Sequence, residues 1–127
     1  MPTSLPSAKT CTVVRVGQHW DAIRVPRSVG LSAMVALGSR SGAVLDDAAG
    51  AVHFFVPLGT ADVWTDETSR ALVTGLPLTV PPPLRIAGPG AHWRLRPGDR
   101  GMLTDPDALA AALADAFGPP LGKEETT

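Results

Sequence analysis

The chain has 127 residues, 44% of them hydrophobic and 18% charged, a composition that fits one globular domain with a real core and excludes a disordered chain. Lys+Arg number 11 and Asp+Glu 12, a formal net charge of −1, which excludes a general electrostatic grip on nucleic acid and leaves only a local basic patch. Cys11 is the one cysteine, so no internal disulfide forms, and no apolar run approaches the roughly 20 residues of a membrane span.

The first ten residues, MPTSLPSAKT, are polar and rich in Pro and Ser. They lack the apolar stretch of a signal peptide, and with a lone cysteine this predicts a cytoplasmic protein. Arginine outnumbers lysine and alanine is abundant, the bias of a GC-rich bacterial genome. Residues 1–10 read as a flexible leader, 11–118 as a single domain and 119–127, ending in KEETT, as a flexible tail.

TVVRV (Thr12–Val16) is β-branched and bounded by Gly17, which predicts a strand. HWDAIRVP (His19–Pro26) reads as a second strand, its uneven apolar pattern suggesting burial on both faces. A helix capped by Ser28 is expected through about Leu37, with Gly30 as its weak point. AVLDD and AVHFFVP then flank the turn-rich Asp46-Asp47-Ala48-Ala49-Gly50, a β-hairpin pattern. From Gly59 to Arg70 the chain reads as irregular, with Trp64 as its anchor.

RALVTG and LPLTVPPP are two short extended pieces, and Pro81–Pro83 must lie at an edge or leave the sheet. AHWRLRP alternates, placing Trp93 and Leu95 on one face and His92, Arg94 and Arg96 on the other. Asp105 as N-cap and Pro106 at the first turn open a final helix. Its Ala-rich stripe, Leu109, Ala112, Leu113, Ala116 and Phe117, suits close packing on a sheet. The sum is an α+β domain with a mainly antiparallel sheet of about six or seven strands and two helices packed on it.

All three histidines fall in predicted strands, without the spacing of a zinc site, so neither a metal nor another cofactor is expected. Asp46-Asp47 read as turn formers, because adjacent strand residues point to opposite faces and cannot both ligate one ion. Arg94 and Arg96, with His92 beside them, form a cationic row that could hold a phosphate or a short stretch of nucleic acid, or simply pair with the acidic loop. No nucleophile elbow, Walker-type loop, Cys-x₂-Cys or His-Glu-x₂-His is present.

GAVHFFVP, LVTGLPLTVPPP and GAHWRL together resemble the second half of the bifunctional DNA primase/polymerase family, over about residues 43–97. The resemblance implies the archaeo-eukaryotic primase-like fold and makes His53 a nucleotide-contacting histidine. It also departs from the family. The metal-binding acidic pattern is missing, since Asp46 and Asp47 are adjacent and Ala71-Leu72-Val73-Thr74 carries no carboxylate. What it implies is therefore a small, non-catalytic relative that binds a nucleotide, single-stranded nucleic acid or a protein partner. His53, His92, Arg94 and Arg96 are the candidate ligand-binding residues. Two other readings stay open: a small enzyme using His53 or His19 with a nearby Asp as general base, and a structural interaction module built on Pro81–Pro83 and apolar edges.

Overall fold

A computed structural model describes residues 11–98 and 101–117; the expected leader and tail lie outside the described residues. The elements run β1 (Thr12–Arg15), β2 (Asp21–Pro26), α1 (Arg27–Leu37) with a 3-10 turn at Gly38–Arg40, β3 (Val44–Asp46), β4 (Ala51–Val56) and α2 (Thr60–Val63). They continue with β5 (Arg70–Ala71), β6 (Pro77–Val80), β7 (His92–Leu95) and α3 (Pro106–Phe117). The class is α+β and every strand pairing is antiparallel.

The expected single sheet is instead two. Five strands form the order β5-β2-β4-β3-β7, while β1 and β6 pair as a separate two-stranded sheet. The reason is packing. Alternate side chains of the central strands bury both faces, so each face needs its own cover. On one side Ile23, Val25, Val44, Val52, Phe54 and Val56 form a core with Ala33 and Leu37 of α1 and Leu109, Ala112 and Leu113 of α3. On the other, Ala22, Leu45, Phe55 and Trp93 pack with Val16, Trp20, Leu72 and Leu78. Trp20 meets Phe55 edge-on with ring centroids 4.6 Å apart.

Gly30 has a packing reason. A Cβ there would lie 2.1 Å from Cγ2 of Val52, so only glycine lets α1 settle this closely on β4. Ser28 does not cap α1: the helix begins directly after Pro26 with no side-chain cap, and the N–H of its first residue, Arg27, donates instead to the Gly50 carbonyl at 2.9 Å. Asp105 does cap α3, its Oδ2 accepting the Ala108 N–H at 2.9 Å. Leu109, Ala112, Leu113 and Ala116 of α3 lie against α1 as well as over the sheet, so the close approach they permit is helix on helix; the side chain of Phe117 lies outside the described residues.

A third helix, α2, interrupts the segment expected to be irregular. It is too short for periodicity to announce, and it is held from outside: buried Asp21 accepts the N–H groups of Gly59 (2.9 Å) and Ala61 (3.0 Å). His19 lies in the exposed bend between β1 and β2, not in a strand. Pro81 and Pro82 leave β6 and turn their carbonyls onto the indole N–H of Trp93, at 3.2 and 3.1 Å. No helix among the described residues is long and apolar enough to cross a membrane.

Candidate functional site

Two charged clusters grow out of the β3–β4 hairpin, one from each of its adjacent aspartates. Both acids first build the turn. Asp46 Oδ1 accepts the Ala48 N–H at 2.8 Å, and Asp47 Oδ1 accepts those of Ala49 (2.7 Å) and Ala51 (3.1 Å). The loop closes through Ala48 at φ +62 and Gly50 at φ +101, left-handed positions that Gly50 adopts without cost. Because neighbouring residues diverge at the strand end, the two carboxylates go to different partners.

Asp46 is fully buried. Arg27, the first residue of α1, clamps it through Nε–Oδ2 (3.0 Å) and Nη2–Oδ1 (2.9 Å). Arg94 of β7 adds Nε–Oδ2 and Nη2–Oδ2 contacts, both 3.0 Å. His92 Nδ1–H donates to the Gly90 carbonyl at 2.9 Å, which leaves Nε2 facing Asp46 Oδ2 at 3.8 Å, too far for a hydrogen bond. Burial pushes the Asp46 carboxyl up, but the bonds from Arg27, the Ala48 N–H and Arg94 together outweigh it and hold it well below the usual carboxylate range.

Arg94 reaches Asp46 because β7 is bulged. Val44 opposes Leu95 and Leu45 opposes Trp93, so Arg94 is an extra residue in the ladder. The expected alternation is thereby corrected. Trp93 joins one core while Leu95 packs against the other, on opposite faces of the sheet. The expected row of His92, Arg94 and Arg96 is not an open cationic strip either. His92 and Arg94 fold onto Asp46, whereas Arg96 lies past the strand end, exposed, and pairs with no carboxylate among the described residues.

Asp47 forms the second cluster. Its Oδ2 is 3.1 Å from His53 Nε2 and 3.6 Å from Arg24 Nε. A carboxylate only accepts, so His53 carries its proton on Nε2 and leaves the Nδ1 lone pair facing inward. That Nδ1 is buried without a hydrogen-bond partner. Burial lowers the His53 pKa below its ordinary value, against the opposing pull of Asp47, and the ring stays neutral. Burial likewise pushes Asp47 up, but the Ala49 N–H, His53 and the Ala51 N–H bring it below its ordinary value. His53 is 3% exposed, so its ring is not presented to solvent.

Sequence reasoning missed Arg24, Arg27 and Arg70. Arg24 is cross-strand from the neutral His53 on one side and from Arg70 on the other, so a basic pair spans β2 and β5 beside His53. Like charges directly opposed across strands are destabilising. Arg24 and Arg70, with Pro26, Glu67, Thr68 and Ser69, line an open groove of about 250 Å³. The one signal in the sequence was Arg24 itself, a charge at a strand position whose neighbours Ile23 and Val25 are buried.

A second cavity, of about 320 Å³, opens between α2 and the first turns of α3 beside Trp64, Asp66 and Asp107. Asp66 is already engaged, accepting from the Thr68 and Ser69 hydroxyls. Among the described residues no three His, Cys, Asp or Glu side chains converge as a metal site. No protein-family model, curated protein or solved structure matches this chain.

Proposed function

We propose that this chain is an intracellular, primase/polymerase-like domain that binds a nucleotide or single-stranded nucleic acid without catalysing transfer. The observation that carries the non-catalytic part is the state of Asp46. A carboxylate has about four lone-pair positions. Those of Asp46 accept from Arg27 twice, from the Ala48 N–H and from Arg94. Asp47 is similarly filled by Ala49, Ala51 and His53. Phosphoryl transfer by bound cations needs such oxygens free, and here they are spent on holding the hairpin to its neighbours. The binding part is supported by the basic pair Arg24 and Arg70 beside His53, the position the family resemblance singles out.

Titration with ATP and an oligo-dT strand at two salt concentrations, alongside primer-extension and nucleotide-hydrolysis assays in Mg²⁺ and Mn²⁺, tests both parts. Saturable, salt-sensitive binding without turnover is the expected result. Metal-dependent turnover would overturn the non-catalytic reading, and failure to bind any of these probes would overturn the binding one.

The His53–Asp47 pair favours a second reading, a small enzyme with a general base. A neutral imidazole held 3.1 Å from a carboxylate is the pairing that orients such a base, but its free lone pair lies on the buried Nδ1, so this reading requires substrate to reach that nitrogen. This reading requires activity on a panel of hydrolysable esters that disappears in a folded His53→Ala variant; a wild type inert across the panel ends it.

A further inference from the structure

We propose that the groove between β2 and β5 is a phosphate-binding site, with Arg24 and Arg70 as its cationic contacts. The proposal rests on the nucleotide-binding reading above and assigns the phosphate to residues that the family resemblance does not include.

Strand register sets Arg24 directly opposite Arg70, so the two guanidiniums leave neighbouring strands on the same side of the sheet. Both residues are exposed. Their charges are poorly compensated. Arg24 Nε is 3.6 Å from Asp47 Oδ2, which His53 already holds at 3.1 Å, and Arg70 pairs with no carboxylate among the described residues. An oxyanion seated between them would relieve the repulsion, and the planar fork of a guanidinium matches the oxygen edge of a phosphate.

The groove, at about 250 Å³, is smaller than sites that enclose a whole drug-sized ligand. It would therefore take the phosphate while the sugar and base lie outside it. Glu67 opposes this chemistry: it lines the same groove without pairing to either arginine, and its charge disfavours a second anion. That gives the proposal a variant that must act in the opposite direction.

A mononucleotide and the backbone of a strand share this phosphate chemistry, so the test uses ATP and oligo-dT as separate probes, with pyrophosphate as competitor. ATP should bind and be displaced by pyrophosphate; binding of oligo-dT alone would assign the groove to a strand backbone. Arg70→Ala and Arg24→Gln should each weaken binding about tenfold and flatten its salt dependence by about one charge. Glu67→Gln should tighten it. Arg70 and Glu67 are exposed, so their variants should melt within a few degrees of wild type, which separates lost contact from lost fold. Unchanged affinity in both arginine variants would overturn the groove assignment while leaving the nucleotide-binding reading intact. A wild type that binds none of the probes would overturn both.

Discussion

Replacing Asp46 with asparagine tests whether its carboxylate is a structural tie. Asn keeps an oxygen for the Ala48 N–H, but its amide nitrogen turns a donor toward guanidinium donors. Removing one partner of a sealed ion pair costs about 3–5 kcal/mol. Here the side chains of Arg27 and Arg94 are each 37% exposed and rehydrate on release, while that of Asp46 is 1% exposed. That partial rehydration brings the cost just below this range, and Asp46→Asn should cost about 2–3 kcal/mol, or about 10 °C in Tm for a domain of this size.

The pH dependence provides a second signature of the same tie. The folded Asp46 carboxyl lies below its ordinary range. Its contribution is therefore fully present above the unfolded carboxylate pKa of about 3.9 and is lost as pH falls through the folded value. Urea melts of both proteins from neutral pH downward should show a gap at pH 7 that narrows in acid. A gap below about 0.5 kcal/mol at pH 7, or one that does not change with pH, would refute the reasoning.

Gly30→Ala should destabilise the fold by about 1–3 kcal/mol despite alanine's better helix propensity, and Val52→Ala in the same chain should recover part of the loss, as measured by urea midpoint. His53, whose folded pKa is lowered, binds its proton less readily than in the unfolded chain. Stability should thus fall as pH drops below about 6.5, and comparing His53→Gln with wild type at pH 7.5 and 5.5 should show that component missing from the variant. Arg94→Gln should lower Tm by several degrees whereas Arg96→Gln should leave it unchanged; equal effects in a thermal melt would contradict the bulged geometry of β7.

The parts of this fold legible in the sequence are those governed by neighbours along the chain. Asp46-Asp47 followed by Gly50 announces the hairpin, and Asp105-Pro106 announces the last helix, because turn and cap chemistry acts over a few residues. The division into two sheets was not legible. The short β-branched pieces TVVR and PLTV carry no mark of whether they extend the main sheet or cover it. In β7 the letters alternate perfectly, yet the inserted Arg94 turns Leu95 to the other face, and a bulge of this kind has no glycine or proline to betray it.

The site divides along the same line. The hairpin spacing brought Asp47 near His53, whereas Arg27 and Arg94 reach Asp46 from distant segments. The opposition of Arg24 and Arg70 exists only once β5 docks on β2.

The Asp46 tie also bears on how the molecule opens. One carboxylate joins residues 19 and 48 positions away, gathering the start of the first helix, the hairpin turn and the outermost strand at a single point. Amides of β7, although at an edge where fraying is usual, should therefore exchange with solvent on the same timescale as those of α1, and cutting the tie should let the edge breathe independently.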